Sequence, residues 1–256
     1  MNRIQEFWKF GNSHIVFQEM LDLVYPRHCV VCGNTLWGKY EKYLCVHCFY
    51  DLPLLDFQDY TMKNEIGKVF WGRCNFEFCW GWMEYRSGSK TSDIIKELKY
   101  KGNPEIAHYL GTVMGESLID LEYLKSHEVV LIPVPMSPEK RKKRGYNQTE
   151  EIAKGISKIC GYEIQADLLE RTVMRDSQTR MNRVSRFENM QGVFRFNSSE
   201  FQTRFDHKEN LVDTSLLLII VDDIITTGAT IETCYHAIND NLKVKIGVCS
   251  LGLTNK

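Results

Sequence analysis

The stretch LLLIIVDDIITTGAT, from Leu216 to Thr230, decides the fold class of this 256-residue chain. Its six leading aliphatic residues predict a buried strand over 216–221, and apolar strands of this kind are typical of parallel sheets covered by helices. Asp222 and Asp223 follow directly, so we expect them at the carboxyl end of the sheet, where open α/β sheets bind ligands. Because neighbouring strand residues point to opposite faces, at least one of these acids is expected where the chain begins to turn.

The turn after the two acids is small and polar, and it consists of Thr226, Thr227, Gly228, Ala229 and Thr230. Small residues let a phosphate approach backbone N–H groups, and the helix expected to begin here adds the positive end of its dipole. Carboxylates accept hydrogen bonds from sugar hydroxyls and can bind Mg²⁺. Acids followed by such a turn predict a ribose 5-phosphate site. Taken alone, the two acids would be explained equally well as the end of a buried strand. The turn alone would be explained equally well as a threonine N-cap.

Strands and helices alternate along the rest of the chain, which predicts an α/β fold with a mostly parallel sheet flanked by helices. Further strands are expected at 75–85, 128–135 and 244–253. Helices are expected over 1–24, 91–102, 103–124, 148–160 and 229–239, and the polar segment 197–215 is expected to be a loop or a short hairpin.

Four cysteines near the N-terminus form two C-x2-C pairs, which are Cys29, Cys32, Cys45 and Cys48. Each pair can supply two thiolates to one tetrahedral Zn²⁺, and Gly33 permits a tight turn after the first pair. Two matched pairs favour a structural zinc site over a redox role, and the metal would supply folding energy that a small module lacks. His28 and His47 could replace a ligand, but we expect them to be neighbours only.

The composition excludes several classes of function. With 32 Lys and Arg against 33 Asp and Glu, the formal net charge is -1, so the chain has no overall basic character that would indicate nucleic-acid binding. No run of 18 apolar residues is present, and we expect no membrane insertion. The N-terminus lacks the apolar core and cleavage site of a signal peptide, so a cytoplasmic location is expected.

Two cationic segments could contact an anionic ligand, and the first of them is expected to be a loop after the strand at 128–135. Arg144 and Gly145, which follow the strand expected at 128–135, are expected to bind a second anion such as pyrophosphate. Lys140–Lys143 are equally well explained as a solvated surface or as a nucleic-acid patch. Asn147 or Gln148 is expected to cap the next helix or to reach the site.

The second cationic segment, 171–194, contains several arginines and few aliphatic residues, which predicts a flexible loop that closes over a charged ligand. Arg175, Arg180 and Arg183 are its candidate ligand-binding residues. A solvent-exposed linker is the alternative interpretation.

Several motifs together resemble the ComF family, over residues 19–254. They are the cysteine module, LKYKG (98–102), IPVP (132–135), RGYNQ (144–148), RTVMRDSQTRMNRVSRFEN (171–189) and the stretch of acids and threonines at 216–230. The last of these is similar to the phosphoribosyl pyrophosphate (PRPP) motif of type I phosphoribosyltransferases.

The resemblance implies a type I phosphoribosyltransferase fold and a function linked to DNA uptake in natural transformation. It implies that Asp222 and Asp223 hold the ribose and that residues 226–230 hold the 5-phosphate. Catalysis would involve Asp222, Asp223 and Arg144, with PRPP, Mg²⁺ and an unidentified nitrogen nucleophile. The alternative is a non-catalytic PRPP- and zinc-binding accessory protein that contacts single-stranded DNA or the uptake machinery. The acceptor and the oligomeric state stay open.

The expected domain organisation has four parts. An amphipathic helix occupies 1–24, the zinc module occupies 25–52, a linker with a hood strand occupies 53–90, and the phosphoribosyltransferase-like domain occupies 91–256. The strand at 75–85 carries an aromatic face, which we expect to pack between the zinc module and the main sheet. A role in stacking a base is the alternative.

Overall fold

The computed structural model describes residues 26–37, 41–56, 58–100, 103–172, 193–205 and 215–254. The helix expected over 1–24 lies outside the described residues, and so does most of the cationic segment 171–194.

Seven strands are described: β1 (Phe78–Tyr85), β2 (Glu128–Pro133), β3 (Glu163–Ile164), β4 (Leu169–Arg171), β5 (Phe194–Phe196), β6 (Leu216–Ile225) and β7 (Lys245–Thr254). Five of them form the main sheet in the order β1-β7-β6-β2-β3, and every neighbouring pair in it is parallel. The other two, β4 and β5, form an antiparallel pair. Together with the helices that cover the sheet, this arrangement confirms the predicted α/β class.

The described helices are α1 (Val46–Tyr50), α2 (Glu65–Lys68), α3 (Lys90–Tyr100), α4 (Pro104–Leu118), α5 (Glu122–Lys125), α6 (Pro138–Arg144), α7 (Gln148–Cys160), α8 (Ser198–Phe205) and α9 (Ala229–Asn239). Within these parts of the chain, none of the helices is both long enough and apolar enough to cross a membrane.

Alternate residues of β6 divide the interior into two cores. Leu217 and Ile219 share one core with apolar side chains of α3, α4 and α7, whereas Leu218 and Ile220 share the other with α8 and α9. This division follows from the two-residue period of a strand, because both faces of a parallel sheet are covered. The central position of β6 places Asp222 and Asp223 between the two layers of helices.

The four-cysteine module packs against the first of these cores. Leu36, Leu44 and Leu52 are buried together with Trp82 of β1, and the rings of Phe49 and Trp82 are 6.1 Å apart. Aromatic side chains of this strand therefore share a core with the module, and the strand itself belongs to the main sheet.

The hood assignment of the strand at 75–85 is wrong. Over Phe78–Tyr85 this strand pairs in parallel with β7, so it is an edge strand of the main sheet. Its outer edge is covered by the preceding linker, because the N–H of Leu55 donates to the carbonyl of Trp82 (3.0 Å) and the N–H of Glu84 donates to that of Pro53 (2.8 Å). The other domain boundaries stay predictions.

Two segments expected as loops contain helices. Within 197–215 the chain forms α8, because Phe201 and Phe205, four residues apart, are both buried on one side of a helix. The cationic run 140–144 lies in α6, which has no buried residue. The helix expected over 103–124 ends earlier, at Leu118, and the short helix α5 follows it.

Candidate functional site

The two acids lie inside β6 rather than after it. The strand continues to Ile225, because β7 runs beside it and pairs Ile224 with Gly252. The expectation that one of the acids lies at the turn is therefore wrong. Instead, each carboxylate bends forward along the strand. Oδ1 of Asp222 accepts from the N–H of Asp223 (2.8 Å), and Oδ1 of Asp223 accepts from the N–H of Ile224 (2.7 Å).

Asp223 is held by two donors from separate helices. The ammonium group of Lys99, near the end of α3, lies 3.1 Å from Oδ2 of Asp223. The side-chain amide of Gln148, the first residue of α7, donates to the same oxygen at 3.0 Å. Of the two residues expected to cap the helix or to reach the site, Gln148 is therefore the one that reaches it.

Asn147 has the other role, since it is the N-cap of α7. Its side-chain oxygen accepts from the N–H of Thr149 (3.4 Å), and its amide donates to the carbonyl of Val134 (3.1 Å) just after β2. The hydroxyl of Thr149 donates to the same carbonyl (2.8 Å). These bonds fix the start of α7 against the carboxyl end of the sheet, which is why Gln148 can reach Asp223.

The carboxyl group of Asp222 is buried on the other side of β6. Burial raises its pKa to about 7, and the neighbouring charge of Asp223 adds to the increase. The N–H of Asp223 and the ammonium of Lys99 act in the opposite direction. Two adjacent carboxyl groups with one nearby cation therefore favour retention of a proton on Asp222 close to neutral pH.

The turn at 226–228 connects β6 to α9. Gly228 has a φ of +78° and precedes the first residue of the helix, Ala229. A Cβ atom at Gly228 would lie 2.7 Å from Phe70 and 2.9 Å from Val69, so this position requires glycine for both its conformation and its surroundings. Thr226, Thr227 and Thr230 are exposed, and the hydroxyl oxygen of Thr227 accepts from the N–H of Ala229 at 3.5 Å.

Arg73 contacts the same turn. The sequence did not indicate this residue as part of the site. Its guanidinium donates to the carbonyl of Thr227 at 3.0 Å and pairs with the carboxylate of Glu232 at 2.6 Å. A further bond runs to the carbonyl of Val69. Arg73 and Glu232 are 159 residues apart, and no local pattern signals such a contact.

The cationic helix α6 ends shortly before Gln148, the residue whose side chain contacts Asp223. Arg144 is its last residue and is half-buried, and Gly145 forms the C-cap with a φ of +82°. Gln148, which contacts Asp223, follows three residues after Gly145. Arg141 pairs with Glu150 at 3.2 Å, whereas Lys140, Lys142 and Lys143 are exposed. Arg175, Arg180 and Arg183 lie outside the described residues.

The four cysteines of the N-terminal module come together as a possible metal centre. The Sγ atoms of Cys29, Cys32, Cys45 and Cys48 all lie within 4.8 Å of one another. Cys32 and Cys45 are 3.7 Å apart. Tetrahedral coordination with Zn–S bonds of about 2.3 Å requires sulfur atoms roughly 3.8 Å apart, so the donor set and the spacing fit a zinc ion.

Local geometry explains this convergence. The N–H of Gly33, whose φ is +74°, donates to the carbonyl of Cys29 at 2.9 Å and closes the first turn. Cys45 is the N-cap of α1, and its sulfur accepts from the N–H of Cys48 at 3.4 Å. His47 lies near Asp51 instead, with 3.5 Å between its Nε2 and the carboxylate.

Thiol acidity in the cluster is set by competing effects. Burial acts to raise the pKa of Cys29, but backbone N–H groups, among them those of Cys32 and Cys45, lower it to about 7. Burial raises the pKa of Cys48 and that of Cys45. A bound cation would stabilise all four thiolates, which is the chemistry that a closed four-sulfur site provides.

Fold and site thus define an α/β protein with an acidic pair and a small polar turn at the carboxyl edge of a parallel sheet, joined to a four-cysteine module. No protein-family model matches the chain. Over 151 residues it is 24% identical to Competence protein ComFC of Bacillus subtilis (strain 168), a match that covers 57% of this chain and 54% of that protein. The chain thus spans about half the length of this curated relative. The similarity supports the resemblance to the ComF family.

Proposed function

We propose that the chain binds PRPP together with Mg²⁺ and transfers the phosphoribosyl group to a nitrogen nucleophile. The observation that carries this proposal is the order of groups at the end of β6. Two carboxylates that bend toward the carboxyl edge precede a turn whose glycine is the N-cap of α9. This order suits a ligand with hydroxyl groups at one end and a phosphate at the other. A cytoplasmic location is part of the proposal.

The contacts of Asp223 support the sugar end of this proposal. Lys99 and Gln148 fix one oxygen of Asp223, so the orientation of its carboxylate is set before a ligand arrives. Oε1 of Gln148 is buried, and it has no hydrogen-bond partner in the part of the chain that the structure describes. A buried acceptor beside a carboxylate suits a ligand hydroxyl group, because an unsatisfied acceptor carries a cost that a donor removes.

In the proposed reaction, the bond between C1 of the ribose and the pyrophosphate oxygen breaks, and its electron pair leaves with pyrophosphate. The lone pair of the nitrogen forms the new bond to C1, and the nitrogen then loses its proton to solvent. Asp222 and Asp223 orient the ribose and favour the positive charge that develops on its ring, and Arg144 and an arginine of 171–194 bind the leaving group. Mg²⁺, when bound with PRPP, neutralises phosphate charge, and carboxylate oxygens are ligands that suit it.

The first experiment measures binding by calorimetry with PRPP and Mg²⁺. The Asp223→Asn variant should bind at least about tenfold more weakly, because it loses a charged acceptor for ribose hydroxyl groups. Asp93→Asn is the matched control, since Asp93 pairs with Lys96 (2.9 Å) on the exposed surface of α3. Equal affinity of Asp223→Asn and the wild-type protein would remove the ribose assignment.

A second candidate function is a PRPP-liganded accessory protein that contacts single-stranded DNA or the DNA-uptake machinery. The exposed lysines of α6 favour it, because a cationic surface without buried residues can bind phosphates. The link to DNA uptake is implied by the resemblance to the ComF family, and the similarity to a competence protein supports it.

Two measurements separate these candidates. Incubation with PRPP, Mg²⁺ and a panel of nitrogenous bases should release pyrophosphate if the chain is a transferase, and tight PRPP binding without release would favour the accessory role. Replacement of Lys140, Lys142 and Lys143 by glutamine should weaken binding to single-stranded DNA if α6 is the contact surface. Unchanged DNA binding would exclude α6 from that role.

We also propose that the four-cysteine cluster holds one structural Zn²⁺. Four thiolates and no described fifth ligand in the cluster leave no open coordination position, which is typical of structural rather than catalytic zinc. Metal analysis of the purified protein should find one zinc ion per chain, and a metal-free protein with full stability would contradict this.

A further inference from the structure

Arg73 lies where three parts of the chain meet. It follows α2 in the segment that leads from the cysteine module to β1, and its guanidinium lies 5.7 Å from the centre of the Phe70 ring. The side chains of Arg73 and Glu232 are 30% and 16% exposed, so their ion pair is partly shielded from water. A shielded pair of this kind is less screened than a surface pair.

Glu232 creates a problem for any anion at this end of α9. It lies in the first turn of the helix, and its N–H donates to the carbonyl of Gly228 at 2.9 Å. An acid near a helix N-terminus stabilises the isolated helix, but its charge repels a phosphate bound at the same end. The carboxylate of Glu232 therefore opposes the ligand that the turn is proposed to bind, unless a cation neutralises it.

The carbonyl of Thr227 presents a related difficulty. A carbonyl oxygen carries partial negative charge, so a carbonyl directed at the ligand would disfavour an anion, whereas N–H groups favour it. Arg73 donates to this carbonyl at 3.0 Å and thereby ties it to the protein side of the turn. The contact of Gly228 with Phe70 and Val69 holds the same turn against the segment that carries Arg73.

We infer that Arg73 is a positioning residue for anion binding: it neutralises Glu232 and engages the carbonyl of Thr227, so that the turn presents donors to a phosphate. This inference rests on the proposed function and extends it to a residue outside the sequence motif. Arg73 acts through Glu232 and Thr227 rather than through contact with the ligand.

The test uses ribose 5-phosphate as the probe and calorimetry on the full chain. Arg73→Met should lower the affinity at least about tenfold, because it exposes the ligand to an uncompensated carboxylate. Glu232→Gln should bind as tightly as the wild-type protein or more tightly. The double variant Arg73→Met/Glu232→Gln should recover most of the affinity, since the repelling charge is gone. A purely structural role for Arg73 predicts no recovery, and that result would overturn the inference.

Two further variants sharpen the comparison. Arg73→Lys keeps the charge, but an ammonium group cannot contact both Glu232 and the carbonyl of Thr227 as the planar guanidinium does. The affinity of this variant for ribose 5-phosphate should therefore lie between those of the wild-type protein and Arg73→Met. Arg204→Met is the matched control, because Arg204 pairs with a glutamate of its own helix, Glu200, at 2.8 Å. A loss of affinity in Arg204→Met equal to that in Arg73→Met would contradict a specific role.

Hydrogen exchange of the ligand-free protein separates this inference from the proposed function. In Arg73→Met the amide of Glu232 should exchange at least about tenfold faster, while the amide of Asp240 at the other end of α9 should be unchanged. If wild-type protein does not bind ribose 5-phosphate, the proposed function fails, and the exchange data still decide whether Arg73 holds the turn. Unchanged exchange at Glu232 would overturn the positioning role.

Discussion

The carboxyl group of Asp222 is buried beside Asp223, and only one cation, Lys99, is described close to this pair. The resulting pKa of Asp222, about 7, is well above that of an aspartate in water, which is about 3.9. The folded protein therefore binds a proton at Asp222 more tightly than the unfolded chain does. Stability contributed by this proton is fully present below pH 4 and is lost as the pH rises through about 7.

We expect Asp222→Asn to remove this part of the pH dependence, since an amide cannot ionise. The free energy of unfolding of the variant, relative to that of the wild-type protein, should increase by roughly 2 kcal/mol between pH 5 and pH 8. Urea unfolding at both pH values measures the difference, and groups common to both proteins cancel. A relative stability that does not change with pH would mean that Asp222 is ionised throughout this range.

Contiguity along the chain decides which residues of the site were predictable. Asp222, Asp223 and the turn that follows are neighbours in sequence, and so the pattern could be recognised. Lys99 lies in the motif LKYKG, but nothing in its local sequence shows that it contacts an acid 124 positions later. Arg73 lies in an aromatic stretch of the sequence and belongs to no recognisable motif. Contacts of this kind depend on how α2 and α3 pack on the sheet, and one sequence does not reveal that.

The sequence of α6 contains the boundary residues of a helix, although its run of cations favoured a loop. Ser137 caps its N-terminus, Pro138 occupies its first turn, and Gly145 ends it in the left-handed conformation. Serine, proline and glycine in these positions are ordinary helix boundaries. The five cations between them suggested a loop. Their position in the last turns of a helix is favourable, because cations stabilise the carboxyl end of the helix dipole.

The junction between β6 and α9 makes Gly228 sensitive to substitution. Gly228→Ala should destabilise the protein by about 1–2 kcal/mol for the left-handed backbone alone, and further because the new methyl group meets the fully buried ring of Phe70. Gly161→Ala is the matched control, since Gly161 has a φ of +74° and no atom within 4 Å of the added carbon.

Urea unfolding of both glycine variants tests this expectation. Gly228→Ala should be less stable than Gly161→Ala by at least about 1 kcal/mol, because only the former adds a steric clash to the backbone strain. Equal losses would show that the segment carrying Phe70 moves aside readily. In that case the support of the turn by this segment would be weaker than the contacts suggest.

The cysteine module and the sheet share one continuous core, although the sequence predicts them as separate domains. Leu36, Leu44 and Leu52 are buried in the same cluster as Trp80 and Trp82 of β1. Lys90 at the start of α3 pairs with Asp51 of the module at 2.7 Å. Shared burial couples the stability of two parts of a chain, because unfolding one exposes apolar surface of the other.

If the cluster holds the proposed zinc ion, its removal should therefore destabilise the sheet as well as the module. We expect a strong chelator to lower the melting temperature by at least about 5 °C while the protein still unfolds in a single calorimetric transition. Cys48→Ser should reproduce this shift and no longer respond to the chelator. Cys160→Ser, at a cysteine in α7 outside the cluster, should keep both the metal and the response.

Two separate transitions, of which only the smaller one responds to chelation, would show that the module unfolds independently. The linker along the edge of β1, and with it the segment that carries Arg73, would then keep its structure without the metal.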